Sequence, residues 1–237
     1  MKGISRLSAK ILWGDLLHLV FPNACLVCAK ELSKAENHIC SLCDIGLVNT
    51  NFQHFEEPTD MDKLFWGRIK IHKTYSHLFF EKSKAAQDLL FGLKYRNNFP
   101  LGVYFGERIG EIINAVPSFN DVDAFIPVPL HPKKKFMRGY NQSEALARGI
   151  CQSVNGTLDV HSVMRIRPSE TQTKKSRFDR WENVNEIFHL NNSIKKYKHV
   201  VLVDDVITTG STIEAMARVL LKENPDILIS VVTLAIA

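Results

Sequence analysis

The chain has 237 residues, 45% of them hydrophobic, and a formal net charge of +5. That is apolar material for one good core with a small appended module, and the modest positive balance permits a polyanionic partner without demanding one. Five cysteines, four of them in two C-x-x-C pairs, argue against a disulfide scaffold and for a reducing, cytoplasmic setting.

At the amino terminus Lys2, Arg6 and Lys10 precede an apolar run over 11–21 that superficially looks like a signal peptide. Asp15 and His18 interrupt that run, no small-x-small cleavage site follows, and it is too short to span a bilayer. Ile11, Leu12, Leu16, Leu19 and Val20 fall near one helical face, so the expectation is an amphipathic helix packed on the body, without membrane insertion.

Cys25 and Cys28 form the first pair, Cys40 and Cys43 the second. Two such knuckles complete a tetrahedral four-sulfur zinc site with no open position for water, hence a structural metal. A redox C-x-x-C would not need a second pair so close by. Cys151 reads as a small buried hydrophobe within a helix, and His38 as a bystander to the four sulfurs.

Residues 46–68 look like a connecting segment. Helices are predicted over Ser83–Tyr95, with Ala86, Leu89, Leu90 and Leu93 on one face, and over Leu101–Val116, stopped by Pro117. Asp123–Pro129 reads as a strand and Asn141–Val154 as a helix. Between them His131–Gln142 is a basic loop in which Arg138, beside Gly139, suits phosphate oxygens better than the lysines at 133, 134 and 135. At least some of those lysines should simply be solvated.

Strands are plausible near Leu158–Arg165 and Glu186–Leu190. The basic stretch Thr171–Asn183 suits either a mobile flap that excludes water or a surface loop anchored by Trp181. A strand at Val200–Val203, a helix over 211–224 and an apolar strand at Ile227–Ile236 close the chain. Strands alternating with helices predict an α/β fold, a parallel sheet with helices on both faces that binds ligand beyond the carboxyl ends of its strands.

The segment Val200–Thr212 carries the most chemistry. An apolar strand ends in Asp204 and Asp205, and the loop Thr208, Thr209, Gly210, Ser211, Thr212 then opens a helix. Loop N–H groups, hydroxyls and the helix dipole can face one anion, while ionised carboxylates accept from hydroxyls or bind a divalent cation. A sugar phosphate satisfies both halves. The plainer alternative is a strand with a solvated acidic end before a capped helix, but adjacent like charges gain nothing there.

This segment closely resembles the phosphoribosyl-diphosphate (PRPP) signature of type I phosphoribosyltransferases. The resemblance implies that Asp204 and Asp205 engage the ribose 2′ and 3′ hydroxyls and that Thr208–Thr212 hold the 5′-phosphate. With Cys25–Cys28, Leu93–Lys94–Tyr95, Pro129–Leu130–His131–Pro132, the Arg138–Gly139–Tyr140–Asn141–Gln142 block, Arg180 and Asn183, the chain resembles the ComF family over nearly its whole length. Those are phosphoribosyltransferase-like proteins with an amino-terminal zinc module, associated with DNA uptake and natural transformation.

The resemblance implies residues 1–62 as amino-terminal helix and zinc module, and 63–237 as the phosphoribosyltransferase-like domain. It also implies PRPP bound with Mg²⁺, Arg138 on the pyrophosphate, Lys174 and Arg177 on a loop closing over it, and single-stranded DNA and the uptake machinery as partners. Lys174–Lys175 stand where the family often shows Gly-Leu, so this loop is more basic. Thr208 occupies the position of the third acid found in 6-oxopurine enzymes of this fold, which disfavours that salvage reaction.

Overall fold

The computed structural model describes residues 23–80, 82, 84–95, 97–166, 187–192 and 194–237. The expected helix at 11–21 and the stretch 171–183, with Lys174, Arg177 and Trp181, lie outside the described residues. The elements are α1 (Ser41–Ile45), α2 (Asp60–Lys63), β1 (Thr74–Phe79), α3 (Lys84–Tyr95), α4 (Phe99–Ile113), β2 (Ala124–Pro127), α5 (Pro132–Arg138) and α6 (Gln142–Val154). They continue with β3 (Val163–Arg165), β4 (Phe188–Leu190), β5 (His199–Ile207), α7 (Ser211–Glu223) and β6 (Leu228–Ile236).

Four strands form a sheet in the order β1-β6-β5-β2, every pair parallel. Val200, Val201, Leu202, Val203 and nearly all of β6 are buried, as strands covered on both faces require. Leu158 adds a parallel bridge outside β2 at Phe125. β3 and β4 do not join this sheet; they pair antiparallel with each other, Val163 opposite Leu190, and α7 packs on β4. Buried Asp159 anchors this hairpin, accepting from the His161 and Ser162 N–H groups at 3.0 Å and from the Tyr197 hydroxyl at 3.0 Å.

Helix α6 lies on β2 and β5, and α4 crosses α6 almost backbone to backbone. A Cβ on Gly149 would sit 2.0 Å from the Val103 carbonyl oxygen, and one on Gly106 would sit 2.2 Å from that of Leu146. Only glycine permits this approach, and it sets how closely α4 packs on α6. The cysteine-bearing segment docks on α4. The His38 and Tyr104 rings lie 4.7 Å apart, Arg108 Nη1 pairs with Asp44 Oδ1 at 2.6 Å, and Asn98 donates to the Leu26 carbonyl at 3.0 Å.

Three local expectations change. Strand β1 had no sequence signal, because Thr74, Ser76 and His77 put polar residues in a buried strand; Thr74 is absorbed locally, its Oγ1 donating to Asp62 Oδ1 at 2.7 Å. Residues 132–138, expected as loop, are helix α5, entered by Pro132 with His131 as N-cap and ended by left-handed Gly139 at φ 80. Those are ordinary start and stop signals, but Phe136 and Met137 are exposed, so no buried apolar face marked the helix. Strand β5 does not stop before the acids but continues through them, pairing Val206 with Ala235 and Ile207 with Ile236. Among the described residues no helix is long and apolar enough to cross a membrane.

Candidate functional site

Asp204 and Asp205 stand in the last residues of β5, at the carboxyl end of the sheet. Ser143, the second residue of α6, donates to Asp204 Oδ1 at 2.9 Å, and the Asp205 N–H donates to the same oxygen at 2.9 Å. Lys94 Nζ lies 3.4 Å from Asp205 Oδ2. Burial, and then the Asp205 charge, push the Asp204 carboxyl up to about 7, against the opposing pull of these donors.

The Arg138–Gln142 block builds the floor that presents Lys94. The Tyr140 hydroxyl donates to the Leu93 carbonyl at 2.6 Å and Gln142 Nε2 to the same oxygen at 3.3 Å. Asn141 donates to the Val128 carbonyl at 3.0 Å, and its Oδ1 accepts from Ser143 N–H at 3.2 Å as the N-cap of α6. Arg138 donates to Gln142 Oε1 at 2.7 Å and sits 5.9 Å from the Tyr95 ring centre, half-buried beside the acids.

Two further cations gather here. Lys134 is half-buried while Lys133 and Lys135 are exposed; burial and then the charges of Arg165, Arg138 and Lys94 hold its ammonium below the usual lysine range. Arg165, from β3, is likewise lowered by burial while feeling the Asp204 carboxylate. Lys134 thus lies within electrostatic reach of Arg165, Arg138 and Lys94, and of these Lys94 and Arg165 also reach the carboxylates. Arg165 escaped the sequence reading because a lone arginine in a short strand carries no motif.

On the other side of the acids, exposed Thr208 and Thr209 lead to Gly210. Gly210 is left-handed at φ 73, and a Cβ there would meet the Phe65 ring at 3.0 Å. This turn opens α7 at Ser211 with no side-chain cap on its first N–H groups, and Thr209 Oγ1 and Ser211 Oγ are 2.9 Å apart. Arg68 braces the loop from behind. It donates to the Thr209 carbonyl and the Leu64 carbonyl, both at 2.7 Å, and pairs with Glu214, which Arg218 also holds at 2.6 Å. Residues 60–69 are therefore a buttress for the loop rather than a plain connector.

The sulfur atoms of Cys25, Cys28, Cys40 and Cys43 lie within 4.8 Å of one another, and none is in a disulfide. Cys28 and Cys40 are 3.7 Å apart, close to the roughly 3.8 Å edge of a tetrahedron with Zn–S bonds of about 2.3 Å. Burial would raise the Cys25 thiol, but N–H donation from Cys28, Cys40 and Val27 outweighs it and brings it down to about 7. Such backbone donors stabilise a thiolate. The donor set fits a metal such as zinc. His38, stacked on Tyr104, is not part of it.

Residues 141–236 match the family model described as the phosphoribosyl transferase domain. The chain is 39% identical over 224 residues to competence protein F of Haemophilus influenzae, covering 84% of this chain and 90% of that protein. It is 36% identical over 226 residues to the DNA utilization protein YhgH of Escherichia coli O6:H1, covering 86% and 93%. To competence protein ComFC of Bacillus subtilis it is 26% identical over 247 residues, covering 97% and 91%.

Two outcomes follow from this geometry. Purified chain should carry about one zinc per chain by elemental analysis, and Cys40→Ser should lose it; metal-free wild type would refute the site. Because Asp204 is raised when folded, its contribution favours the folded state below about pH 4 and is lost as pH climbs through about 7. Asp204→Asn should therefore gain stability over wild type above pH 7, on the order of 1–3 kcal/mol by denaturant titration, with no gain at pH 4. A difference independent of pH would contradict the assigned environment.

Proposed function

Because the chain belongs to the ComF family, we propose that it is a PRPP-binding phosphoribosyltransferase-like protein acting in DNA uptake. The relatives' names, competence protein and DNA utilization protein, support the process. The observation that carries the ligand is the juxtaposition at the end of β5. Two carboxylates stand between an uncapped helix start behind Gly210 and the cations Lys94, Lys134, Arg138 and Arg165. A ribose bearing a phosphate at one end and a pyrophosphate at the other matches that order of charges.

In this reading Asp204 and Asp205 accept from the 2′ and 3′ hydroxyls, and Thr208–Thr212 hold the 5′-phosphate. Arg138, with Lys134 and Arg165, faces the pyrophosphate; Lys174 and Arg177, outside the described residues, would close over it. Mg²⁺, when bound with the ligand, supplies charge neutralisation on pyrophosphate and ribose oxygens. Transfer, where an acceptor is present, forms a bond from the acceptor's lone pair to the anomeric carbon as the bond to pyrophosphate breaks. The pyrophosphate leaves with that bonding pair. Thr208 cannot act as a base near neutral pH, which argues against 6-oxopurines as acceptors. The four-cysteine cluster holds a structural zinc in the same proposal.

Surface chemistry favours a second, compatible activity, the binding of single-stranded DNA. Phe91 and Tyr95 stack with centroids 4.9 Å apart and are more than half exposed, and Phe136 on α5 is 91% exposed. Arg138 lies 5.9 Å from the Tyr95 ring centre, and exposed Lys133 and Lys135 share α5 with Phe136, the cation-plus-aromatic composition on which bases stack.

Mg²⁺-PRPP should raise the melting temperature of the wild type, and the double change Asp204→Asn, Asp205→Asn should abolish the rise; an unmoved wild type would remove the PRPP reading. Affinity for a single-stranded oligonucleotide should fall steeply between low and moderate salt and drop several-fold in Phe136→Ala. No binding at low ionic strength would sink the DNA reading alone.

A further inference from the structure

The loop at 208–212 contains one peptide whose direction its own residues do not decide. Gly210 is left-handed at φ 73, ψ 0, and Ser211 beside it is the first residue of α7. A left-handed residue followed by a helical one gathers three successive N–H groups, those of Gly210, Ser211 and Thr212, around one concavity suited to an anion. Among the described residues none of the three meets an acceptor.

That concavity exists only while the Thr209–Gly210 peptide keeps its N–H on the inner side. Rotating the peptide by half a turn reverses the sign of φ at Gly210, and glycine accepts either sign. The choice between the two orientations therefore falls to whatever holds the Thr209 carbonyl.

Arg68 holds it. Its Nη1 donates to the Thr209 carbonyl and to the Leu64 carbonyl, both at 2.7 Å. Its Nε donates to Glu214 Oε2 at 2.9 Å, and Nη2 reaches the same oxygen. Arg218 grips Glu214 Oε1 at 2.6 Å and donates to the Arg68 carbonyl at 3.2 Å, which fixes both the partner and the backbone of the brace. The described peptide bonds are all trans, so C=O and N–H point opposite ways across each plane. With the Thr209 oxygen committed to Arg68, the Gly210 N–H is turned away from the guanidinium.

The charges act in the same sense. Glu214 stands in the first turn of α7, where a carboxylate competes with a bound anion for the helix dipole. Two arginines on that carboxylate counter the competition.

On the reading of residues 208–212 as the 5′-phosphate cradle, we propose that Arg68 is its positioning residue, locking the Thr209–Gly210 peptide so that the Gly210 N–H meets the phosphate. Arg68 acts through that peptide and need not touch the ligand.

The test is calorimetric titration of the full chain with ribose 5-phosphate and, separately, with Mg²⁺-pyrophosphate. Beside it, NMR follows the cross-peak that joins the Gly210 N–H to the Thr209 carbonyl carbon. In ligand-free Arg68→Met that carbon should move upfield as the carbonyl loses its charged donor. Ribose 5-phosphate affinity should fall roughly tenfold or more while pyrophosphate affinity holds. Arg68→Lys, which keeps the charge beside Glu214 without the planar fork, should be weakened in the same way. Glu214→Gln, which breaks the ion pair and leaves the carbonyl bonds, should bind ribose 5-phosphate at least as tightly as the wild type. An unmoved Thr209 carbon, an equal loss of both ligands, or a loss in Glu214→Gln matching that in Arg68→Met would overturn the positioning role alone. A wild type that binds neither ligand would instead remove the PRPP reading, and this role with it.

Discussion

Two carboxylates side by side at the end of a buried strand repel one another, and a large part of the chain is arranged to keep them there. Asp205 depends on Lys94, which rides on the last turn of α3. That turn is tied down by Tyr140 and Gln142 through the Leu93 carbonyl. Asp204 depends on Ser143, whose position is set by the Asn141 cap against the end of β2. On its other side α6 is packed closely against α4 through the glycine crossing. Removing any one link leaves a carboxylate short of a donor in a poorly solvated place, where its charge is costly.

This chain of dependence changes the weight of the Arg138–Gln142 block. As a motif it offers Arg138 to phosphate oxygens and leaves the roles of the other positions unassigned. In the fold, Tyr140, Asn141 and Gln142 are buried and bond to protein groups, so their work is to position Lys94 and Ser143. Arg138 alone keeps a half-open guanidinium toward the cleft, and even it leans on Gln142 and Tyr95.

The parallel sheet, the helices α3, α4, α6 and α7, the cysteine cluster and the acid-loop segment were legible because each rests on a short-range pattern. Apolar β-branched runs, helical periodicity and C-x-x-C spacing survive in any context. What escaped depends on distant partners. β1 reads as polar until Asp62 is seen to receive Thr74 and Tyr75 to meet His77. Arg68 reads as a surface charge until Glu214 and the Thr209 carbonyl, far along the chain, converge on it. Arg165 and Lys134 become interesting only because Arg165 comes within reach of Asp204, and Lys134 within reach of Arg165, Arg138 and Lys94. Helix α5 escaped for the opposite reason, since its capping signals were present but it buries no apolar face.

Under the proposed function the electrostatics at the end of β5 favour a ligand with internal order. Burial, and then the charges of Arg165, Arg138 and Lys94, lower Lys134, while burial and Asp205 raise Asp204. The two groups of charge meet where Lys94 pairs with Asp205, and they are fixed on separate elements. A simple polyanion would relieve the cations and worsen the acids; a metal ion alone would do the reverse. Hydroxyl donors placed at the carboxylates, on a body that also carries phosphate toward the cations and toward the start of α7, relieve all three at once. Donation to Asp204 also stabilises its charged form, so such a ligand binds best once the carboxyl has lost its proton. Under the proposed function the site would select for the arrangement of charge along one molecule rather than for net charge.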